Sequence, residues 1–224
     1  MFDAQSFRSR FFVAIVLGFC ALTSFGCTRA TGQVPPYAGE SAQSSSGTRT
    51  AVLAGGCFWG VDAVFKHVKG VKKVVSGYSG GSAATAEYET VSSGTTGHAE
   101  SVKITYDPSQ VRFSELLRIF FSVATDPTQL NRQGPDEGTQ YRSVIFYTDE
   151  QQKQVAQDYI AQLTRAHAFS NPIVTQVVPF KAFYPAEEYH QNYLERHPNN
   201  LYIVYNDLPK LQRLRKEFAD MYKK

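Results

Sequence analysis

A glycine-rich junction between an apolar run and a helical pattern constrains the fold of this chain most strongly. Ala51–Ala54 is a short apolar run of the kind that forms a buried strand. Apolar residues then recur at helical spacing between Val61 and Val68. Gly55 and Gly56 lie between the two patterns and permit a sharp change of direction. The sequence therefore predicts a buried strand that turns directly into a helix.

Cys57 stands where the predicted helix begins, within the sequence Gly56-Cys57-Phe58-Trp59-Gly60. Unpaired N–H groups and the positive end of the helix dipole favour a thiolate at such a position. We therefore expect Cys57 to be a nucleophile, with the two aromatic residues beside it walling an apolar pocket. The alternative is a structural cysteine packed in a strand–helix corner, because free cysteines are often buried and inert.

The amino terminus has the pattern of an export signal. Arg8 and Arg10 precede the apolar run 11–22, which is too short to span a bilayer. Ser24-Phe25-Gly26-Cys27 resembles a bacterial lipobox, which indicates lipidation at Cys27. We predict a signal peptide at residues 1–26 and an exported protein, periplasmic or in the cell envelope. Plain secretion and an uncleaved amphipathic anchor are the alternatives.

The remaining chain divides into a tether and one domain. Residues 27–49 are rich in Ser, Thr, Gly, Ala and Pro and predict a flexible tether. Residues 50–224 suit one sizeable domain, since the 42% hydrophobic and 13% aromatic residues of the 224-residue chain suffice for a core. The net charge is +3, and removing the two Arg and one Asp of the leader lowers it to +2. So small a charge argues against a nucleic-acid partner.

Strand and helix patterns alternate through the predicted domain. Extended patterns cover 71–78, 101–106, 143–147 and 173–178, and helical patterns cover 113–121, 155–163 and 208–221. Thr148 and Gln151 suggest a capping box before the second of these helices. We interpret the basic amphipathic tail as a terminal helix docked on the domain rather than a membrane helix. The mixture, with long irregular loops, predicts an α/β (α+β) fold.

Further blocks of sequence extend the Cys57 motif into a family resemblance. The chain resembles the A-type peptide methionine sulfoxide reductases over about residues 50–200. The matching blocks, in order, are Gly56–Gly60, Gly77–Gly81, Tyr88–Val91 with Gly94–Glu100, Arg132–Asp136 with Gly138–Ser143, and Tyr184–Gln191. Ordered blocks are far more specific than one motif. The resemblance implies a two-layer sandwich with a mixed β-sheet and flanking helices.

The same resemblance implies a reaction and the residues that perform it. The expected activity is reduction of methionine S-sulfoxide, free or in proteins, as a repair of oxidative damage. Cys57 would attack as a thiolate and become a sulfenic acid. Glu100 would donate a proton to the sulfoxide oxygen, since burial among apolar walls keeps a carboxyl group protonated. Tyr78 and Tyr141 would donate hydrogen bonds to that oxygen.

The expected substrate-binding residues have simpler interpretations as well. Phe58 and Trp59 would hold the S-methyl group, Asp136 would orient a water or an amide, and Tyr189 would support the pocket wall. Taken alone, Asp136 suits an ordinary turn. Glu100 suits a solvated strand end, and Tyr78 and Tyr141 suit half-buried core tyrosines. His98 suggests a Cys/His nucleophile pair, but a lone histidine distant in sequence is usually structural. His190 would support the pocket wall together with Tyr189.

Regeneration of Cys57 is expected to need another molecule. Cys20 lies in the leader, Cys27 is lipidated or on the tether, and no cysteine follows Cys57. We expect an external thiol, such as a thioredoxin-like protein, to reduce the sulfenic acid. We expect no cofactor and no metal, because the histidines show no ligand spacing. The expected partners are oxidised proteins and free methionine sulfoxide, and we expect a monomer attached to a membrane only through Cys27.

Two other classes of function are alternatives to the predicted reductase activity. A peroxide-reducing or acyl-transferring enzyme would also use an activated cysteine, but the chain has neither a peroxide-type Thr-x-x-Cys motif nor a protease-type Cys-Gly-x-Cys-Trp motif. A surface lipoprotein that binds peptides without chemistry is the other class, and an assay of methyl sulfoxide turnover separates it from an enzyme.

Overall fold

The computed structural model describes residues 33–39 and 47–224 and shows a mixed β-sheet covered by helices. Six strands form the sheet in the order β7-β6-β1-β3-β2-β8, and a two-residue hairpin pairs β4 with β5. The strands are β1 (Arg49–Gly55), β2 (Val71–Ser79), β3 (Ala99–Tyr106), β4 (Arg132–Gln133), β5 (Asp136–Glu137), β6 (Ser143–Tyr147), β7 (Gln176–Pro179) and β8 (Tyr184–Pro185).

Helices of very different lengths connect these strands. The α-helices are α1 (Phe58–Lys66), α2 (Tyr88–Val91), α3 (Phe113–Ile119), α4 (Glu150–Arg165), α5 (Tyr193–Arg196) and α6 (Leu208–Glu217). Wider π-helical turns at Phe120–Ala124 and Ile203–Asp207 continue α3 and lead into α6. Short 3₁₀ turns lie at Ala83–Thr85, Thr139–Tyr141 and Glu188–His190.

The sheet is mixed because one of its pairings is parallel. Strand β1 is central and pairs antiparallel with β3 and with β6. Strand β2 pairs antiparallel with β3 and β8, whereas β6 and β7 run parallel. The parallel pair is joined through α4, as a parallel connection requires a crossover. The predicted α/β fold with a mixed sheet is confirmed.

The two layers follow from alternation along the strands. Ala51 and Leu53 face the main core, where α1, α3, α4 and α6 contribute apolar side chains. Val52 and Ala54 face the opposite side, in a small cluster that the chain around Phe183 covers. The helices thus pack on one face of the sheet. Gly55, the last residue of β1, lies on the same face as Ala51 and Leu53 and leads through Gly56 to Cys57.

The helix boundaries differ from the sequence pattern in two places. The predicted helix 113–121 changes to a π-helical turn at Phe120, whose ring packs on Gly55 beside the Cys57 junction. The start of α4 is capped one residue later than predicted. Asp149, not Thr148, is the N-cap, and its carboxylate accepts a hydrogen bond of 2.8 Å from Gln152 N–H.

The carboxyl-terminal helix is docked on the domain, as the tail pattern predicted. Leu214 of α6 is fully buried in the main core, and α6 packs against α1. Within the described residues, none of the helices is both long enough and apolar enough to cross a membrane.

Residues 33–39 correct part of the tether prediction. Val34 is buried, and its N–H donates to Ser122 Oγ at 3.1 Å. The Tyr159 hydroxyl donates to Pro35 O at 2.6 Å. The segment is therefore bound to the helical layer, because its backbone groups find partners there that a solvated tether does not have.

The other predictions for the amino terminus fall outside the described residues. They are the signal peptide at residues 1–26 and the lipidation of Cys27. The strand that opens the domain begins at Arg49, one residue before the predicted boundary.

Candidate active site

The strand–helix junction holds Cys57 at the start of α1. Gly56 has φ +95°, a left-handed conformation that favours glycine. A Cβ atom at Gly56 would also lie 2.5 Å from the Gln133 side chain. Cys57 follows as the N-cap residue of α1 and is 7% exposed. The predicted turn from a buried strand into a helix is therefore present, with the sulfur close to the first helical turn.

Glu100 reaches the same helix end from the neighbouring strand. It lies one strand alternation from Val102, so its side chain faces the helical layer, and it pairs in register with Tyr78 of β2. Glu100 is 3% exposed, and its Oε2 accepts a hydrogen bond of 3.0 Å from Phe58 N–H. The first turn of α1 thus binds the carboxyl group directly.

Burial makes Glu100 a weak acid. Desolvation raises its pKa to about 8, with smaller contributions from the negative charges of Asp136 and Asp207. The hydrogen bond from Phe58 N–H opposes this change but does not cancel it. Glu100 is therefore protonated at neutral pH, which is the state that a proton donor requires.

Burial acts on Cys57 in the direction opposite to the helix end, which favours a thiolate. Desolvation raises the pKa of the thiol well above its usual value, and the charges of Glu100 and Asp207 raise it further. A hydrogen bond from Trp59 N–H and the charge of Lys210 act in the opposite direction. The helix end is present as predicted and favours a thiolate. Its effect on the pKa of Cys57 is smaller than the opposing effect of burial.

Tyr78 lies beside Glu100 but uses its hydroxyl group elsewhere. The Tyr78 hydroxyl donates to Glu187 Oε2 at 2.8 Å, and Glu187 Oε1 accepts from Tyr88 N–H at 2.8 Å. The side chain of Tyr78 is fully buried. In this structure the predicted donor to the sulfoxide oxygen is thus occupied as a structural link between β2 and the Glu187 loop.

Tyr88 and Tyr141 are two tyrosines on which both reacting groups act electrostatically. Burial raises the pKa of both phenols, and the charges of Glu100 and Cys57 raise each of them further. Both rings therefore lie within electrostatic reach of the nucleophile and the acid. Sequence reasoning gave Tyr141 a role and missed Tyr88, although Tyr88 opens one of the matching blocks.

Arg142 joins the two loops that present Tyr141 and Glu100. Its guanidinium donates to His98 O at 3.0 Å and to Gly97 O at 2.8 Å. His98 itself is buried and accepts from Gly81 N–H at 3.2 Å, so it holds a glycine turn. The structural interpretation of His98 fits its contacts.

Trp59 is fixed on one side of Cys57 by polar and aromatic contacts. Its Nε1–H donates to His190 Nδ1 at 3.1 Å. Its ring stacks on Tyr193 with centroids 3.7 Å apart and meets Tyr202 edge-on at 5.8 Å. A half-buried indole held in this way is a rigid apolar surface beside the sulfur.

Phe58 is more deeply buried than a pocket wall needs to be. It is 1% exposed, and its ring packs against Tyr78 at 5.9 Å and His190 at 5.0 Å. Tyr189, by contrast, is 55% exposed, and its ring centroid lies 4.1 Å from that of His190.

Asp136 is half-buried at the β4–β5 hairpin. It accepts a short hydrogen bond from the Tyr202 hydroxyl, and burial raises its pKa. This contact ties the hairpin to the carboxyl-terminal segment. Tyr202, whose phenol also lies within electrostatic reach of Cys57, was not identified from the sequence.

In the described part of the chain, no group of three or more His, Cys, Asp or Glu side chains is placed to hold a metal ion. The thiol of Cys57 is free. The arrangement is therefore a buried thiol, a buried neutral carboxyl group, two phenols and a rigid indole around one helix end. Such a set can transfer oxygen and protons.

Comparison with known proteins assigns this arrangement to a family. The sequence profile of the family described as peptide methionine sulfoxide reductase matches residues 49–222. The enzyme MsrA 2 of Mesorhizobium japonicum is 58% identical over 180 residues, which cover 80% of this chain and 92% of that protein. MsrA 2 of Synechocystis is 57% identical, over 80% of this chain and 84% of that protein.

Solved structures support the same assignment. Reduced Mxr1 of Saccharomyces cerevisiae superposes with a TM-score of 0.62 at 32% identity, covering 71% of this chain and 91% of that one. Methionine sulfoxide reductase A of Corynebacterium diphtheriae gives a TM-score of 0.60 at 32% identity, covering 76% and 88%. With matches in sequence and fold across the whole domain, the chain belongs to the peptide methionine sulfoxide reductase family.

Proposed function

We propose that this protein reduces the S epimer of methionine sulfoxide, free or in proteins, with Cys57 as nucleophile and Glu100 as proton donor. The observation that carries the proposal is the burial of both groups at the first turn of α1. A neutral sulfoxide is a poor electrophile, so its oxygen needs a proton or a strong hydrogen bond as the sulfur is attacked. A carboxyl group with a pKa of about 8 can supply that proton at neutral pH.

The hydrogen bond from α1 orients the acidic proton of Glu100. Because Oε2 accepts from Phe58 N–H, it acts as the carbonyl oxygen of the neutral acid. The acidic proton is then carried by Oε1. This fixed orientation lowers the cost of placing the donor when the substrate binds.

The reaction step transfers one oxygen atom between two sulfur atoms. The Cys57 sulfur attacks the sulfur of the sulfoxide. The bond between the methionine sulfur and its oxygen breaks, and a new sulfur–oxygen bond on Cys57 gives a sulfenic acid. Cys57 is oxidised by two electrons and the sulfoxide is reduced by two. Glu100 gives its proton to the oxygen and regains one from the Cys57 thiol, so the carboxyl group is unchanged after the step.

Tyr88 and Tyr141 are the proposed hydrogen-bond donors to the sulfoxide oxygen. The charges of Glu100 and Cys57 act on both phenols, and their raised pKa values keep them protonated. This replaces the predicted pair of Tyr78 and Tyr141, since the Tyr78 hydroxyl is held by Glu187.

The rigid indole of Trp59 supports selection of one epimer. The sulfur of a sulfoxide carries a methyl group, an oxygen, a side chain and a lone pair. With the oxygen held near Glu100 and the methyl group against Trp59, only one hand presents its sulfur to Cys57. The half-buried Asp136, linked to Tyr202, lies where it can orient a substrate amide or a water.

An external thiol is the proposed reductant of oxidised Cys57. Within residues 33–39 and 47–224, Cys57 is the one cysteine. A thioredoxin-like protein or a small thiol would attack the sulfenic acid, form a mixed disulfide and then release the thiol. The proposed active form is a monomer.

We also propose that the protein is exported and anchored through a lipid on Cys27. The leader and the lipobox-like sequence support this location. Six residue steps separate Cys27 from the docked Gln33, so an anchored domain would lie within about 20 Å of the membrane surface. Labelling with a fatty-acid analogue tests the anchor. Equal labelling of wild type and Cys27→Ala would reject it.

Glu100→Gln should slow sulfoxide reduction by roughly 10²- to 10⁴-fold at neutral pH, the usual range for loss of a general acid. In the wild type, the rate should fall as pH rises through about 8, where Glu100 loses its proton. The variant should lose this basic limb, because glutamine does not titrate. Single-turnover kinetics of sulfenic acid formation would measure both effects.

Asp62→Asn is the matched control for this variant. Asp62 is also a buried carboxyl group of α1 whose pKa is raised, to about 6, but it pairs with Lys66 at the other end of the helix. Its substitution should leave the single-turnover rate and the basic limb unchanged. An unaltered rate in Glu100→Gln would instead assign proton donation to a tyrosine or water.

Tyr88→Phe combined with Tyr141→Phe should lower the single-turnover rate by roughly 10²- to 10³-fold, as expected when oxyanion donors are removed. Tyr78→Phe should leave that rate near the wild-type value and lower the free energy of unfolding by about 1 kcal/mol, because it removes the hydrogen bond to Glu187. The reverse pattern, with Tyr78 controlling the rate, would contradict the assignment.

A further inference from the structure

A buried charge pair from the carboxyl-terminal segment lies against the catalytic helix. Asp207 ends the π-helical turn before α6 and is 0% exposed. Its Oδ1 lies 3.1 Å from Lys210 Nζ, one turn further along the chain. The other oxygen, Oδ2, is buried and has no hydrogen-bond partner among the residues that the structure describes. An incompletely satisfied buried carboxylate is costly, so its presence calls for an explanation beyond packing.

The Asp207 carboxylate contacts the first turn of α1 through Gly60. A Cβ atom on Gly60 would overlap this carboxylate and would lie 2.8 Å from Lys210 Nζ. Glycine at position 60 is therefore explained by the close approach of the pair. The amino end of a helix attracts negative charge. Asp207 thus shares this helix end with Glu100 and Cys57.

The charges of the pair reach both reacting groups. The Asp207 charge raises the pKa of Cys57 and of Glu100, and the Lys210 charge lowers that of Cys57. The pKa of Asp207 itself is raised by burial and lowered by Lys210.

Among the described residues, the other titratable groups near the site do not supply a second positive charge to act on Cys57. Asp136 adds a negative charge that acts on Glu100 and on Asp207. Tyr88, Tyr141 and Tyr202 are phenols whose pKa values are raised, so they carry no charge at neutral pH. Lys210 is therefore the cation that acts on Cys57 among several acidic groups.

We propose that Asp207 and Lys210 form a positioning pair for the reaction: the carboxylate binds the first turn of α1, and the ammonium group balances the negative charge that forms there. The inference rests on the proposed roles of Cys57 and Glu100. When Glu100 gives its proton to the sulfoxide, a second carboxylate forms beside Asp207. Lys210 lowers the energy of that state, and likewise of the ionised sulfur during attack.

Removing the charge of Lys210 and removing the charge of Asp207 should shift the pKa of Cys57 in opposite directions. Lys210→Met leaves Asp207 uncompensated and should raise the midpoint of Cys57 alkylation by iodoacetamide by roughly one pH unit. The alkylation rate at pH 7 should then fall roughly tenfold. Asp207→Asn, which keeps the shape, should lower the midpoint. The variant with both changes should titrate close to wild type, and Lys210→Arg should retain the wild-type midpoint.

Lys66→Met is the matched control. Lys66 pairs with Asp62 on the same helix at 2.6 Å, with comparable burial but at the far end from Cys57. This variant should leave both the alkylation midpoint and the pH profile of kcat unchanged. Thermal unfolding of each variant at each pH identifies the conditions in which alkylation reports on folded protein.

The sign of the Asp207→Asn effect decides the proposal even if Lys210→Met is too unstable to titrate. A midpoint that does not fall in folded Asp207→Asn, or single variants that shift in the same direction, would overturn it. Alkylation needs no turnover, so the outcome is separate from the proposed function. Absence of sulfoxide reduction by wild type would reject the function while leaving the titration interpretable.

Discussion

The hydrogen bond between Phe58 N–H and Glu100 is the interaction on which the rest of the site depends. It joins the amino end of α1 to the first residues of β3, inside the interface between the two layers. The glycine turn before Cys57 and the pairing of β1 with β3 both serve to bring these groups together. Because the contact is buried, it fixes geometry and removes water at the same place.

Exclusion of water determines the chemistry of both reacting groups. A solvated Glu100 would be ionised at neutral pH and could not protonate a sulfoxide, whereas burial keeps it neutral. The same burial raises the pKa of the Cys57 thiol, so its thiolate costs more to form there than in water. A thiol with a raised pKa is also less open to oxidation by other agents, since oxidation follows thiolate character.

Sequence reasoning was most successful where local pattern and chemistry coincide. The apolar run, the glycines and the helical spacing located Cys57, whereas Glu100 was identified only through the family resemblance, since its position alone suited a solvated strand end. It failed where distant segments meet. Tyr78 was assigned a role that its hydrogen bond to the sequence-distant Glu187 does not favour, and the tail pattern gave no role to Asp207 and Lys210. The helix end favours the expected thiolate, but spacing alone does not measure the burial that raises the pKa of Cys57.

The central claim is that the sulfoxide oxygen is transferred to Cys57. Its most direct test is mass spectrometry of the protein, with the modified residue located, after one turnover without reductant. Wild-type protein mixed with methionine S-sulfoxide should form one equivalent of methionine, and a sulfenic-acid reagent should add once, at Cys57. Cys57→Ser should give neither product. A full equivalent of methionine from Cys57→Ser, or an unmodified Cys57 after turnover by wild type, would contradict oxygen transfer to this sulfur.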